Sequence, residues 1–409
     1  MDISIGTTNI MREPYVKEVV ERKGKGHPDT LADGLGEELS RVYSKYTLKK
    51  FGYILHHDFD KVGILGGKSQ VSFGNGNVIM PITLLITGRA SYSFGNEEIP
   101  LEDLLKNSAK KFIFSRYPML KNNDIKIIYN VNTSSSPGNV NSSLKDGARK
   151  YWFNPRGPED LPEISKLSSN DSVIACGYAP LSIAEKICLE VEHHLNSDSY
   201  KQKNKWCGTD IKLQVIKEKN RVDITICVPQ LAKYVNNINQ YIDNTVNVKK
   251  DINDYVIKNI FQDLDFKINV NTRDNIQIPE LYLTAIGSSI ESGDIGMVGR
   301  GNRINGLITP NRPMSIEAPY GKNPVYHVGK LYSVTSHTIA RKIFEVTGKY
   351  CEVFMLSQSG RAVKDPWKVV IKSSISNKDA VIKSIVNQEI AKINEITMQI
   401  IEGKINIVV

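Results

Sequence analysis

The sequence predicts a mixed α/β or α+β protein, and three observations lead to that prediction. Apolar or alternating segments that suit strands occur along the whole chain, and the stretch 78–92, VIMPITLLITGRASY, is a strong example. Segments with apolar residues at helical spacing lie between them, as in 101–117. Hydrophobic residues make up 40% of the 409 positions and charged residues 24%. That balance is globular, and the length suits two or three domains.

In the first half of the chain, the loose alternation in 15–23 predicts a strand. From Pro28 onward, apolar residues recur at helical spacing and predict a helix to about Phe51, where a Phe-Gly pair ends it. The stretch 61–73 predicts a buried strand with a glycine-rich turn. Residues 130–170 are rich in Ser, Asn, Gly and Pro, so we expect long loops there, which are usually functional or mobile.

The second half of the chain repeats this mixture. An amphipathic helix is predicted in 179–196, a strand pair with a polar middle in 210–228, and a strand in 282–290. Further helices are predicted in 333–348 and from about 378 to 401. Strands are predicted in 351–359, 368–374 and 405–409. The letters show no repeat with a period of 20–50 residues.

Composition excludes several function classes. The net charge is +9, but the lysines are scattered and no nucleic-acid-binding motif stands out, so we expect no nucleic-acid partner. No apolar run approaches the length of a membrane-spanning helix, and the N-terminus lacks the pattern of a secretory signal. The five cysteines form no C-x-x-C pair, as is usual in a reduced compartment. We therefore expect a cytoplasmic protein that does not enter a membrane.

The motif Gly26-His27-Pro28-Asp29 stands at the start of a predicted helix. A helix N-terminus attracts anions, and His27 can donate a hydrogen bond to one. Asp29 would repel a phosphate unless a cation lay between them, and carboxylate plus phosphate oxygens is a common way to hold Mg²⁺. On its own, the motif fits a magnesium-phosphate site and a capped helix with an incidental histidine equally well.

The sequence Gly66-Gly67-Lys68-Ser69 looks like the end of a P-loop but is not one. The motif needs a glycine at position 62, which is Val62, and the residues that follow do not open a helix.

The segment 293–330 contains seven glycines and five cations. Glycine lets backbone approach a ligand closely, arginine forks onto phosphates, and lysine adds a point charge. This density favours a polyphosphate site over a solvated basic loop. The cations are Arg300, Arg303, Arg312, Lys322 and Lys330, with His327 among them.

Smaller candidates are weaker. Asp210 and Lys212 alternate on a predicted strand and share a face, as do Asp58 and Asp60, while Asp171 begins a strand. Taken alone, each is better explained by a surface salt bridge.

Together these motifs resemble the S-adenosylmethionine synthetase (methionine adenosyltransferase) family, in its archaeal-type branch. The resemblance covers about 17–365 and is weak between about 91 and 170. It is carried by VERKGKGHPDTLADG (20–34), NDSVIACGYAPLS (170–182), GTDIKL (208–213) and the long stretch 292–330. It implies that the methionine sulfur attacks C5′ of ATP and expels triphosphate, which is then cleaved to pyrophosphate and phosphate, with Mg²⁺ and usually K⁺. Displacement at carbon needs positioning and charge stabilisation more than acid–base chemistry.

The resemblance also implies the architecture. The family fold has three interleaved α/β domains related by a pseudo-threefold axis. We expect an N-terminal domain of 1–26 plus 180–289, a central domain of 27–115 plus 290–331, and a C-terminal domain of 116–179 plus 332–409. Homodimers, or dimers of dimers, pack sheet on sheet with sites at the interface.

Residue roles carry over by motif. His27 faces the ribose O5′ or the adjoining phosphate, and Asp29 holds Mg²⁺, with Asp58 as a further candidate metal ligand. The remaining matches bind triphosphate, nucleotide or amino acid. They are Lys212, Arg300 and Lys322 as catalytic cations; Glu21, Asp171, Asp210, Asp294, Arg303, His327 and Lys330; and a glycine-rich loop at Ser134, Ser135, Ser136, Pro137, Gly138 and Asn139.

Three departures from the family pattern lie toward substrate recognition. Lys68 replaces a glutamate that is thought to meet the methionine ammonium, the loop at 134–139 lacks the family's arginine and acidic positions, and Tyr326 replaces a small residue. Two alternatives therefore stay open: a related adenosyltransferase that uses a methionine analogue or another thioether, and a non-catalytic nucleotide-binding regulatory homologue.

Overall fold

A computed structural model describes residues 2–7, 17–134, 149–161, 167–259, 264–374 and 379–408. Three sheets, each built on four strands, form its frame. Sheet one contains β2 (Lys17–Lys23), β12 (Lys212–Glu218), β13 (Arg221–Cys227) and β15 (Asp265–Val270). Sheet two contains β4 (Gly63–Leu65), β7 (Ile82–Ala90), β10 (Ile125–Asn132) and β17 (Gly296–Met297), and the short β3 (His57–Asp58) also pairs with β7. Sheet three contains β1 (Asp2–Thr7), β11 (Ile174–Ala179), β18 (Cys351–Leu356) and β19 (Lys368–Ser373).

Three small hairpins or strand pairs lie outside these sheets. They are β5 (Lys68–Ser72) with β6 (Asn75–Met80), β8 (Ser93–Phe94) with β9 (Glu97–Glu98), and β14 (Gln230–Leu231) with β16 (Leu283–Thr284).

Each sheet has the same strand pattern. In the orders β15-β13-β12-β2, β10-β7-β4-β17 and β1-β19-β18-β11, the first pair is parallel and the next two are antiparallel. The repetition that the letters do not show is therefore present in the pairing.

Helices pack on the sheets. On sheet one lie α3 (Ile183–Leu195), α4 (Asp198–Lys203) and α5 (Ile238–Asn259); on sheet two, α1 (Pro28–Phe51) and α2 (Leu101–Arg116); and on sheet three, α6 (Val328–Thr347), α7 (Asp379–Ala391) and α8 (Ile393–Glu402). Short 3-10 turns occupy Asn122–Asp124, Arg149–Tyr151, Pro158–Asp160, Ala232–Tyr234 and Ser289–Ser292.

The chain passes from one sheet to the next at three equivalent points. Strand β2 closes sheet one and leads into α1 on sheet two; β17 closes sheet two and leads towards α6 on sheet three; β11 closes sheet three and leads into α3 on sheet one. A separate buried apolar cluster fills the space between each sheet and its helices. The predicted α/β fold class with three interleaved units is confirmed.

The predicted first helix is confirmed in detail. It ends at Phe51, and Gly52 follows with a φ of 78°, the left-handed conformation that favours glycine after a helix. The amide N–H of Gly52 donates to the carbonyl oxygen of Leu48 at 3.0 Å.

Two predictions near the C-terminus are wrong in detail. The helix predicted from about 378 to 401 is divided into α7 and α8, and residues 405–408 form no strand. In the other two sheets the parallel edge strand follows the helix, as β10 follows α2. In sheet three, β1 from the chain's beginning takes that position beside β19, so the C-terminal segment has no edge to join.

The three predicted domain ranges stay a prediction, because strand pairing defines sheets rather than domain boundaries. Two strands nonetheless pair outside the groups in which we placed them: β10 lies in sheet two and β1 in sheet three. Across the described ranges, no helix combines the length and the apolar character needed to cross a bilayer.

We expect Gly177→Ala to destabilise the fold. A Cβ at this position of β11 would lie 2.3 Å from the backbone nitrogen of His337 on α6, so sheet and helix would have to separate. Overpacking of this kind costs about 1–3 kcal/mol. Urea unfolding measures the loss. The matched control is Gly6→Ala on β1 of the same sheet, where the nearest atom would be 3.9 Å away. Equal stability of the two variants would contradict the prediction.

Candidate active site

The start of α1 is pressed against the start of β12 by two glycines. A Cβ on Gly26 would lie 2.2 Å from the hydroxyl oxygen of Thr209, and one on Gly24 would lie 2.4 Å from the carbonyl oxygen of Ile211. The amide N–H groups of both glycines donate to these same two residues, at 3.1 and 2.7 Å. The glycines therefore allow these two backbone segments to lie close together, which places His27 beside the strand that carries Lys212.

His27 is held as a neutral donor. It caps α1, and its Nδ1 accepts the N–H of Asp29 at 3.2 Å. Burial, with the nearby charges of Lys23 and Lys212, lowers the pKa of His27 to about 4 despite the opposing charge of Asp29. A neutral ring whose Nδ1 accepts a hydrogen bond carries its proton on Nε2. The Nε2–H is thus the donor that this side chain offers to a ligand.

Asp29 is almost fully buried and accepts on both oxygens. Its Oδ1 accepts the N–H of Met297 at 3.1 Å, and its Oδ2 accepts from Nζ of Lys23 at 2.9 Å. Gly296 makes the first contact possible, because a Cβ there would lie 1.9 Å from the carbonyl oxygen of Pro28. A carboxylate has about four acceptor sites, so Asp29 retains capacity for a cation. No sequence motif predicted a role in the site for Lys23, which contacts Asp29.

Two further predicted residues, Lys212 and Glu21, form an ion pair on the open face of sheet one. Nζ of Lys212 lies 3.2 Å from Oε1 of Glu21, and the Nε2 amide of Gln214 donates to the other oxygen at 3.1 Å. Burial opposes ionisation of Glu21, but the Gln214 hydrogen bond and the Lys212 charge hold its pKa below the ordinary value. Lys212 lies near enough to His27 for its charge to help lower the pKa of His27.

Asp210 is buried next to the site and fixes neighbouring residues through hydrogen bonds. Its Oδ2 accepts the hydroxyl of Tyr282 at 3.1 Å and both the N–H and the hydroxyl of Ser289, at 2.9 and 2.6 Å. The same Ser289 hydroxyl lies 3.1 Å from Asp294, which is exposed. Burial raises the pKa of Asp210 to about 6, although these hydrogen bonds oppose the rise. No sequence pattern pointed to Tyr282 or Ser289, because both contact the site through Asp210.

The arginines of the glycine-rich segment differ from one another. Arg303 donates to the carbonyl oxygens of Gly299, Gly301 and Ser315 and so braces the loop. Arg312 forms a buried two-point ion pair with Glu185. Arg300 is exposed, and its carbonyl oxygen accepts from Lys23 at 2.7 Å. Of these three, Arg300 is the cation placed to meet a ligand near His27.

A second cluster of predicted residues lies farther along α1. Ser40 donates from its hydroxyl to the carbonyl oxygen of Lys322 at 3.1 Å, and Nζ of Lys330 lies 2.9 and 2.7 Å from the carboxylate oxygens of Glu37. An α-helix rises 1.5 Å per residue, so Glu37 and Ser40 stand about 12 and 16 Å along the axis from Asp29. Lys322 and Lys330 therefore contact α1 about two to three turns beyond Asp29.

A cleft of about 420 Å³, lined in part by Asp58, Lys61 and Arg89, lies beside the second cluster. Burial and the neighbouring Asp60 raise the pKa of Asp58 to about 7, while Asp58 and Lys322 pair through their backbones. Nζ of Lys322 contacts Glu317 and lies 4.0 Å from Asp60.

His327 lies in the same cluster and is buried. Burial and the surrounding cations lower its pKa well below the ordinary value. Its Nδ1 has no hydrogen-bond partner among the residues that the structure describes. A buried, unpaired polar atom beside cations is typical of a place where a ligand binds.

The remaining predicted residues lie elsewhere. Asp171 is exposed just before β11, where its Oδ1 accepts the N–H of Ser172 at 2.7 Å. Ser134 ends the described part of its loop, and its N–H donates to Asn132 at 2.6 Å. Ser135 to Asn139 lie outside the described residues. Across the described ranges, no group of three or more His, Cys, Asp or Glu side chains is arranged to hold a metal.

Lys68 is exposed at the first position of β5, which confirms that its glycine pair does not open a P-loop helix. Gly66, two residues earlier, lies against the backbone of Gly293 and Asp294, where a Cβ would be 2.4–2.6 Å away. Ser69 donates to the buried carboxylate of Glu291 at 3.0 Å. Asp294, an exposed residue, therefore lies next to this turn.

A helix mouth that carries a neutral histidine, with a lysine and an arginine beside it, has the chemistry of a site for a polyanionic substrate. The family model described as "S-adenosylmethionine synthetase (AdoMet synthetase)" matches residues 3–404. The S-adenosylmethionine synthase of Thermoplasma volcanium is 37% identical over 423 residues, covering 99% of both chains. That of Saccharolobus islandicus is 38% identical over 411 residues, covering 95% of this chain and 94% of the relative.

A solved structure shares the fold. An unusual S-adenosylmethionine synthetase from Campylobacter jejuni aligns with a TM-score of 0.54 and 16% identity, covering 92% of this chain and 88% of that one. From the family model and the archaeal relatives, the chain belongs to the S-adenosylmethionine synthetase family.

The buried carboxyl group of Asp33 should make the stability of the fold depend on pH. Asp33 lies one turn after Asp29 on α1, where its Oδ1 accepts the N–H of Gly299 at 2.8 Å. Burial raises its pKa from 3.8 to about 8. The folded chain thus keeps a proton that the unfolded chain releases above pH 3.8, so this group lowers stability as pH rises from about 4 to 8.

Asparagine carries no such proton. We expect Asp33→Asn to gain stability over the wild type as the pH rises from about 5 to about 8, measured by urea unfolding at both values. Asp103→Asn, at an exposed position of α2, is the control and has no pH-dependent gain. A stability difference between Asp33→Asn and wild type that is the same at both pH values would refute the assignment.

Proposed function

We propose that this chain joins ATP and L-methionine to form S-adenosylmethionine, and that the methionine sulfur displaces the triphosphate from C5′ of the ribose. The enzyme class follows from family membership over nearly the whole chain. The observation that carries the proposal is the neutral His27 at the mouth of α1, with its Nε2–H available and Lys212 and Arg300 beside it.

Catalysis in this proposal rests on charge stabilisation. Negative charge grows on O5′ and the α-phosphate as the C5′–O5′ bond breaks. The His27 Nε2–H donates to that oxygen, and Lys212 and Arg300 neutralise the phosphates. Such preorganised donors accelerate reactions without moving during the step. A neutral donor suits this role because it keeps its proton, so that triphosphate leaves as an anion. The triphosphate is then cleaved to pyrophosphate and phosphate.

Magnesium fits the donor set at Asp29. Mg²⁺ commonly takes one or two carboxylates and completes its shell with phosphate oxygens and water, and Asp29 offers one carboxylate with spare acceptor capacity. The ion would supply positive charge to the triphosphate. Asp58 is a second candidate ligand, and K⁺ is the second ion that we propose.

We propose that a second copy of the chain completes the site, in a homodimer or a dimer of dimers. The offset of about 12–16 Å along α1 supports this, because a second chain can bring a complementary set of cations to each cluster. The open face of sheet one supports it as well. Glu21 and Lys212 share that face with exposed Val19 and Ile216, and a mixed apolar and charged sheet face suits packing against a partner.

Methionine as the second substrate, a cytoplasmic location and the nucleotide-binding role of 134–139 remain parts of the proposal. Lys68 favours the alternative of a methionine analogue or another thioether. The position of Asp294 beside Gly66 favours methionine, because an exposed carboxylate is placed to meet its ammonium group.

We expect His27→Ala and Lys322→Ala each to lower formation of the sulfonium product by about 10²-fold or more, since loss of one charge-stabilising donor has effects of that size. Mass-spectrometric detection of S-adenosylmethionine from ATP and methionine measures it. Lys217→Ala, a change at a partly exposed position of β12 outside the site, is the control. Near-wild-type rates in both variants would overturn the site assignment.

Mixing the two inactive variants tests the second copy directly. If His27 of one chain works with Lys322 of another, half of the random dimers hold one intact site of two, and activity returns to about a quarter of wild type. No recovery after refolding the variants together would refute a shared site. Failure of the wild type to hydrolyse tripolyphosphate with Mg²⁺ would instead favour the regulatory alternative.

A further prediction concerns the second substrate. Asp294→Asn should raise KM for methionine by about tenfold or more, the size of one lost charge pair, with a smaller change in KM for ATP. Lys68→Ala should change KM for methionine less than threefold, because Asp294 rather than position 68 meets the ammonium. The reverse pattern in steady-state kinetics would favour a substrate other than methionine.

A further inference from the structure

Lys23 is a charged residue at the centre of the site, yet no sequence motif singled it out. It is the last residue of β2, and its side chain is 13% exposed. Its Nζ donates to Oδ2 of Asp29 at 2.9 Å and to the carbonyl oxygen of Arg300 at 2.7 Å. The ammonium therefore touches both the proposed metal ligand and the loop that carries a proposed triphosphate ligand.

The backbone of Lys23 is fixed. Its N–H donates to the Oδ1 of Asn302 at 3.0 Å, and its carbonyl oxygen accepts from the Nδ2 of Asn302 at 2.7 Å and from the hydroxyl of Thr30 at 2.9 Å. The side chain, in contrast, is a flexible four-carbon stem that ends in a compact charge. It can move its ammonium by a few ångströms while the strand end stays in place.

Asp29 needs a counter-ion whenever no metal is bound. The carboxylate is buried, with a relative exposure of 6%, and an isolated buried charge is strongly unfavourable. The N–H of Met297 satisfies one oxygen but brings no full charge. Of the described cations, Lys23 is the one that the structure pairs with Asp29.

We propose that Lys23 is a displaceable counter-ion of Asp29, a positioning residue that holds the carboxylate in place until Mg²⁺ arrives and then yields its position to the ion. The inference rests on the proposed function, because it takes Asp29 as a magnesium ligand. The exchange would conserve the local pairing, because Asp29 would hold the ion and the ammonium of Lys23 would keep its contact with the carbonyl oxygen of Arg300. Competition from Lys23 prevents free Mg²⁺ from binding Asp29 tightly before the nucleotide is present.

The test measures thermal unfolding without nucleotide, so it does not depend on turnover. In EDTA, Lys23→Met leaves Asp29 without its counter-ion, and we expect a Tm several degrees below wild type. Millimolar Mg²⁺ should restore most of that loss, because the ion now meets no competitor. The wild type should respond little to Mg²⁺ alone.

Three control variants separate this role from a merely structural one. Lys23→Arg keeps the charge and should behave like wild type. Lys23→Met combined with Asp29→Asn has no carboxylate to compensate, so it should regain stability in EDTA and lose the response to Mg²⁺. Lys25→Met, which removes the next lysine of the same turn, should not create a response, since its Nζ contacts the carbonyl oxygen of Asn196 instead.

An equal Mg²⁺ response in wild type and Lys23→Met would overturn the proposal, as would a Tm loss in Lys23→Met that Mg²⁺ does not repair. Should Lys23→Met fail to fold, the paired variant with Asp29→Asn still decides: it folds if the unpaired carboxylate is the cause. Failure of the proposed function is recognised separately, as absence of sulfonium product from the wild type.

Discussion

The arrangement of the site depends on the contact between two glycines and one strand end. Gly24 and Gly26 let the turn after β2 lie directly on the residues that open β12, at distances that no side chain would allow. This contact joins sheet one to the first helix of sheet two. It also places His27 and Asp29, from one unit, beside Lys212, from another. A bulkier residue at either glycine would move the helix mouth away from the strand that completes it.

Charges in the site are arranged as compensated sets. Lys23 faces Asp29, Lys212 faces Glu21, and Lys330 faces Glu37. Groups without a full counter-ion are neutral instead: burial lowers the pKa of His27 to about 4 and raises that of Asp33 to about 8. The low-dielectric environment that makes an unpaired charge costly would also strengthen the binding of the proposed triphosphate. Lys23, Lys212 and Lys330 each have a carboxylate partner within the chain.

The threefold repetition of the fold explains how distant segments meet. Each sheet is closed by a strand whose following helix packs on the next sheet, so the junction before a helix is always a place where two units touch. His27 precedes α1 and His327 precedes α6, and both are N-cap residues. The two histidine-containing clusters thus stand at equivalent junctions of different units. The residues of the two clusters accordingly contact α1 at different turns.

The sequence by itself determined the fold class, the first helix with its glycine end, the family and the motifs around His27, Lys212, Arg300 and Lys322. These follow from local periodicity and from residue types that chemistry restricts. Tertiary structure decided the rest. β1 closes sheet three through pairing between residues far apart in the chain. Arg303 braces its own loop and Lys23 pairs with Asp29 over short sequence distances, but burial and the approach of other segments decide which neighbour each side chain meets. Position within the sequence carries no signal for them, because long-range pairing and burial, rather than local pattern, set which charges meet.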